Sequence, residues 1–310
     1  MVNGILIVDK PRDFTSHDVV AKLRGMLRQK KIGHAGTLDP MATGVLVVLL
    51  GSATRASDHA SGQDKEYVAR LRLGVVTDTQ DSTGTVLEQH PVAVSETEVQ
   101  AALPAFTGEL RQLPPMYSAL SVNGKRLYDL ARKGVEVERQ SRAITIERLE
   151  LLPRQAGMTP EEHDLRAVCS KGTYIRTVCH DLGAALGCGG CMADLRRVRS
   201  GRFTLADALT FEQIAALLAE NELESRVFPT DSVFSDLPEV HLNPEGDIRA
   251  SHGSFFLPRH LKSGETPPEG GRCRVYDSAG CFCQIGESRP LEKGGTAIFC
   301  RINFAGKEGS

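Results

Sequence analysis

The sequence has no apolar run near the ~18 residues that a membrane-spanning helix requires, which excludes a helical span. Its first apolar run, Ile5–Val8, ends at once in Asp9, Lys10 and Pro11. That is not a signal-peptide pattern, so the cytosol is the expected compartment. Charge of one sign is also missing: the net charge is −2 over 310 residues, which argues against a generally basic nucleic-acid binder. There is no P-loop, dinucleotide fingerprint, nucleophile elbow or HExxH, so phosphoryl-transfer and nicotinamide chemistries are disfavoured. The eight cysteines are scattered and read as reduced thiols. Cys188 and Cys191 form one Cys-x-x-Cys without the second pair a structural zinc site needs, and Cys281 and Cys283 are spaced as on a strand. Thr77–Gly84 (TDTQDSTG) lacks the spacing of a calcium loop and reads as a hairpin turn. A bound metal is not expected.

What is present is an ordinary globular composition, 41% hydrophobic and 25% charged, long enough for one large domain or two. The stretch Lys31–Leu50, KIGHAGTLDPMATGVLVVLL, organises the rest. Gly33, Gly36 and Gly44 permit tight turns, and Pro40 forces Asp39 out of helical geometry. Val45–Leu50 predicts a buried strand. His34 and Asp39 thus sit on a stiff loop against the core, where either a structural Asp-Pro turn or chemistry would fit. Basic residues cluster twice on this neutral chain: Lys22, Arg24, Arg28, Lys30 and Lys31, then Arg196, Arg197, Arg199 and Arg202. Two such clusters suggest a polyanion-binding face.

Periodicity supplies the frame. Residues 4–9 predict a strand, and Thr15 with Asp18 predicts the capped start of a helix through Leu27. Ser95 with Glu98 and Thr210 with Gln213 predict two more. In residues 67–73 the alternation puts Tyr67, Ala69, Leu71 and Leu73 on one face of a strand. Further strands are expected over 142–152, Leu165–Cys169 and Leu195–Phe203, a short basic helix over Leu127–Lys133, and a helix with Ile175, Val178, Leu182 and Ala185 on one side. After about Asp236 glycine and proline become frequent, and Arg272–Asp277, Gly280–Ile285 and Thr296–Ile302 predict a small β module. Of the chemically capable residues, Asp39, His34, Tyr67, Tyr174 and Arg176 make one coherent set: an acid, a fixed cation to hold it ionised, and rings suited to stacking an unstacked nucleobase.

The motifs GILIVDKP (4–11), TSHDVV (15–20), GHAGTLDPMATGVL (33–46), DKEY (64–67), PPMYSA (114–119), GKRLYDLAR (124–132), CSKGTYIRT (169–177) and DLGAALGCG (181–189) resemble, in order, the bacterial TruB family of tRNA pseudouridine-55 synthases. The resemblance implies an α+β fold: a mixed, mainly antiparallel sheet flanked by helices over 1–235, a β-rich PUA-like RNA-binding module over 236–304 and a tail over 305–310. It implies an isomerase acting on a flipped-out uridine 55 in the T loop of tRNA, without metal or cofactor, expected to be a monomer. Carried over by motif, Asp39 would be the nucleophile, attacking C6 of uracil or C1′ of ribose. Arg176 would pair with Asp39, Tyr67 would stack on the base and could assist proton removal from C5, and Tyr174 and Leu195 would line the uracil pocket. His34 would contact RNA and Lys10 would support the pocket. The basic helix 19–31 and the arginines of 196–202 would then lie on phosphates. Two departures, Ser121 where relatives commonly carry lysine and His180 before DLG, leave the Asp39 motif untouched. A non-catalytic tRNA-binding or RNA-folding protein on the same scaffold is the alternative. A partner-guided synthase acting on other RNAs is a third reading, which the short N-terminus disfavours.

Overall fold

The computed structural model describes residues 1–118, 120–122, 124–131, 133–135, 137–292 and 294–304; the expected tail and Arg132 lie outside the described residues. In chain order the first elements are β1 (Gly4–Lys10), α1 (Ser16–Leu27), β2 (Ile32–Ala35), β3 (Thr43–Leu50), α2 (Ser57–Gly62) and β4 (Lys65–Leu73). A small hairpin follows, β5 (Val75–Thr77) and β6 (Val86–Gln89), then α3 (Glu96–Ala102), β7 (Gly108–Gln112), the short pair β8 (Ser121–Val122) and β9 (Lys125–Arg126), and α4 (Leu127–Ala131). Next come β10 (Arg142–Leu151), β11 (Glu162–Cys169), α5 (Ile175–Ala185), β12 (Gly190–Ser200), β13 (Phe203–Thr204) and α6 (Phe211–Ala219).

The main sheet runs β1-β3-β12-β4-β11-β10-β7, with β2 added to β3 and β13 to β12. Only the β3–β12 contact is parallel, so the sheet is mixed and mainly antiparallel. Strand β3 is buried along almost its whole length because it lies inside the sheet with both faces covered. Gly44 is required there: with φ +102° it lies under β12, and a Cβ would stand 2.2 Å from the Arg197 carbonyl oxygen.

Local signals decide the ends of the helices. Thr15, Ser95 and Thr210 each accept from the backbone three residues on, and Asp18, Glu98 and Gln213 complete reciprocal capping boxes. Losing such a cap costs about 1 kcal/mol. In α1, Val19, Val20 and Leu23 are buried against Leu46, Val48 and Leu50 of β3. In α5 the expected stripe holds at Ile175, Val178 and Leu182, but Ala185 in the last turn is exposed.

The remaining strands, β14 (Glu239–Leu242), β15 (Leu261–Ser263), β16 (Arg272–Tyr276), β17 (Phe282–Pro290) and β18 (Thr296–Asn303), form a second sheet in the order β15-β14-β16-β17-β18, with α7 (Pro244–Ser251) beside it. Strand β17 starts two residues later and runs further than Gly280–Ile285. Asp277 folds the chain into a turn, accepting from the N–H groups of Ala279 and Cys281, and Gly280 takes φ +85° there. Phe234 joins the two sheets: its ring lies 6.2 Å from that of Phe282 and 5.9 Å from that of Phe304. The same apolar cluster contains Ile5, Val45 and Phe203 from the first sheet.

Candidate active site

The site is built on the loop between β2 and β3, which carries Asp39. Four anchors fix it. Ser16, at the start of α1, accepts from Leu38 N at 2.9 Å. Pro40 O accepts from Asp13 N at 2.9 Å. Lys10, fully buried at the end of β1, donates to the carbonyls of Pro40 (3.0 Å), Pro11 (2.8 Å) and Phe14 (2.6 Å). Arg197 of β12 donates through Nη2 to Gly36 O at 2.9 Å and through Nε to Val45 O at 2.7 Å, clasping the loop where it leaves one strand and enters the next.

Asp39 meets Arg176 in a two-pronged pair, Nε to Oδ2 at 2.9 Å and Nη2 to Oδ1 at 3.3 Å. The arginine side chain is 6% exposed and the aspartate 35%, so the acid is the member that faces outward. Burial pushes the Asp39 carboxyl up, the Arg176 guanidinium pulls it back, and Asp81 adds to the rise. Arg176 sits in the first turn of α5. Its start is held by Gln112 of β7, which accepts from Tyr174 N at 2.8 Å and donates to Tyr174 O at 3.0 Å. The guanidinium also donates to Thr79 O and Tyr117 O.

Sequence reasoning missed Asp81. It lies in the hairpin turn between β5 and β6, 4% exposed, with Oδ2 3.5 Å from Arg176 Nη1. Thr79 and Thr83 hydroxyls and Thr83 N donate to its other oxygen. The turn was legible, but which of its acids faces inward depends on docking: Met192 N donates to Gln80 O and Ser82 N to Met192 O, which stitches the turn to β12. Two acids thus share one arginine, and Asp81 orients it from behind.

Tyr67 on β4 is 8% exposed and shares an apolar cluster with Leu38, Leu195 and Ile175. Strands β4 and β12 pair Tyr67 with Arg197 and Ala69 with Leu195, so both residues of β12 project to the Tyr67 side. Burial pushes the Tyr67 phenol up, and the charge of the Arg197 guanidinium pulls it partly back. Tyr174, half-buried, is likewise pushed up by burial. The structure therefore brings together Asp39, Arg176, Tyr67, Tyr174 and Leu195, with Lys10 beneath the loop. His34 lies on β2; its Nδ1 is buried without a hydrogen-bond partner among the described residues, and burial lowers its pKa.

One expectation is overturned for Arg197, which at 1% exposure is no phosphate ligand; Arg196 pairs with Asp9 at 2.7 Å and Arg199 with Glu66 at 3.3 Å, both partly exposed, and Arg202 is exposed. Alternation along a strand sends one of each neighbouring pair inward, which a composition cluster cannot show. By contrast Lys22, Arg24, Arg28 and Lys30 on and after α1 are exposed. Among the described residues no group of three or more His, Cys, Asp or Glu is arranged to hold a metal ion.

Residues 24–175 match the family described as TruB family pseudouridylate synthase (N terminal domain), and residues 176–235 the tRNA pseudouridylate synthase B C-terminal domain. A tRNA pseudouridine synthase B of Ectopseudomonas mendocina is 44% identical over 290 residues, covering 92% of this chain and 91% of that one. One from Opitutus terrae is 50% identical over 240 residues, covering 77% and 96%. Among solved structures, a chain in a Cbf5–Nop10–Gar1 complex superposes with a TM-score of 0.74 at 25% identity, covering 97% of this chain and 84% of that one. The chain belongs to the TruB family of pseudouridylate synthases. It is an isomerase: the uracil leaves the ribose through N1 and returns through C5, with no change of mass.

Proposed function

We propose that the protein converts uridine 55 in the T loop of tRNA to pseudouridine, with Asp39 as nucleophile on a flipped-out uridine. The observation that carries this is the two-pronged Arg176–Asp39 pair, in which the arginine is buried and the acid is the partly exposed partner. A nucleophilic carboxylate has to be ionised in a place that strips water from it, and a fixed guanidinium at 2.9 Å meets that demand. Asp39 attacks C6 of the uracil or C1′ of the ribose. The N1–C1′ bond breaks, the base turns, C5 bonds to C1′, and the C5 proton leaves as Asp39 is released. Tyr67 stacks on the base and stands within the field of Asp39, close to where that proton departs. Tyr174 and Leu195 bound the uracil. Lys10 holds the Asp39 loop from below, and His34 meets the RNA at the rim.

In this reading residues 1–235 are the catalytic domain and 236–304 a PUA-like RNA-binding module, working as a monomer on the T stem-loop. The relatives named for tRNA support the choice of RNA, since they match over most of the chain. The exposed cations of α1 supply phosphate contacts that position RNA without reading its sequence. The non-catalytic alternative has no use for a desolvated acid held by a buried arginine. Incubation with an unmodified tRNA transcript, followed by nucleoside chromatography of the T-loop fragment, tests the proposal. Pseudouridine at position 55 is the expected result; unchanged uridine there overturns it.

A further inference from the structure

Arg197 is among the largest fully buried side chains, and the isomerisation as proposed gives it no part. A cation sealed from water is costly unless strongly partnered. Arg197 has no carboxylate within ion-pair distance among the described residues, and two further buried cations, Lys10 and Lys65, act on it or are acted on by it. Its guanidinium is used on two backbone carbonyls, Gly36 O at 2.9 Å and Val45 O at 2.7 Å, and its charge bears on the Tyr67 phenol. Gly36 and Val45 bracket the loop that carries Asp39. Tyr67 is paired with Arg197 across the β4–β12 ladder. One planar fork therefore grips both ends of the nucleophile's loop from the position opposite the stacking ring. Lysine, with a point charge and no fork, cannot hold both carbonyls in the same geometry.

We propose that Arg197 is a positioning residue for the isomerisation: it fixes the ring of Tyr67 relative to the Asp39 loop, so that nucleophile and ring keep one geometry when a uridine enters. This rests on Asp39 and Tyr67 acting on the target uridine as proposed above. Displacement of reacting groups by about 1 Å costs about 100-fold in rate, which sets the scale of the expected effect.

The test uses the full chain with Arg197→Lys, Tyr67→Phe and the double variant, and two readouts. The first is 19F NMR of protein labelled with 3-fluorotyrosine. There are five tyrosines, and the resonance lost in Tyr67→Phe belongs to Tyr67. In Arg197→Lys that resonance shifts while the other four hold their positions, which also shows that the variant folds. The second is single-turnover pseudouridine formation on unmodified tRNA. Arg197→Lys is expected to slow it by about 10- to 100-fold with tRNA affinity within about threefold, and to add little in the Tyr67→Phe background, as two groups acting as one unit do. An unmoved Tyr67 resonance, or rate losses that multiply in the double variant, overturns the proposal. If the resonance shifts but Tyr67→Phe turns over at the parent rate, the reading of Tyr67 fails, and the role of Arg197 in the reaction falls with it.

Discussion

Two basic stretches that look alike in sequence end in opposite places. On α1 and just past it, Lys22, Arg24, Arg28 and Lys30 stand in solvent, because a helix with one apolar stripe turns the rest of its circumference outward. On β12 a period of two sends Arg197 inward, while Arg196 and Arg199 lie on the half-open face and meet acids of β1 and β4. The outer cations meet no acid in any ion pair among the described residues, although Lys22 lies over the Phe211 ring and Arg24 donates to Ile32 O, so their charge is left for a polyanion. The inner ones, with Arg176, hold protein parts in place. Charge on the inside should therefore govern the chemical step, and charge on the outside the binding step.

The sharpest way to break that division is Asp39→Asn. Turnover on tRNA should fall by at least about a thousandfold while affinity stays within about tenfold, since this acid makes no phosphate contact. Retained turnover, read by nucleoside chromatography, removes Asp39 as nucleophile. Next in size is Arg176→Lys. A lysine cannot grip Asp39 at two points and face Asp81 at the same time, so single-turnover rates should drop by about 100-fold, again with binding little changed. A loss appearing mainly in affinity would place Arg176 with the outer cations.

The contrast also explains what could be read from the sequence. Capping boxes at Thr15, Ser95 and Thr210 and the alternation of Tyr67–Leu73 are local, and the structure repeats them. Asp39, Arg176 and Tyr67 were legible as residue types, but the pair at 2.9 Å joins positions 137 apart in the chain. Asp81 was hidden for the same reason: the turn Thr77–Gly84 is visible in its composition, but its docking onto β12 is not. In the sequence Arg197 looks no different from its basic neighbours, because a cluster carries no sign of which face each member takes. That requires knowing that β12 is flanked by β3 and β4.

A smaller effect is expected from the outer set. Changing Lys22, Arg24, Arg28 and Lys30 together to glutamine should weaken tRNA binding by about 10- to 100-fold at low salt and flatten the dependence of affinity on salt, with the rate at saturating enzyme held within about threefold. The same treatment of Arg196 and Arg199 should move affinity by less than about threefold, because their charges are already engaged. If the two sets respond alike, the inside–outside division fails.

The smallest expected effect concerns the cost of an inner cation. Burial holds the Lys10 ammonium down at about 8, against 10.5 when it is free, although Asp39 pulls upward. Between those values the unfolded chain binds more protons than the folded one, so the contribution of Lys10 to stability rises with pH across that window. From pH 8 to 9.5 the gain is about 1–2 kcal/mol for this side chain. Lys65, also held at about 8, behaves in parallel, so the Lys10 part has to be isolated by difference. Urea unfolding of the chain and of Lys10→Met at both pH values does so. The parent should gain on the variant as pH rises. The variant should also be the less stable at either pH, since it leaves the carbonyls of Pro11, Phe14 and Pro40 without their donor. A difference that stays level with pH would mean that those three carbonyls hold the ammonium as well as water does, and that an inner cation costs this fold nothing.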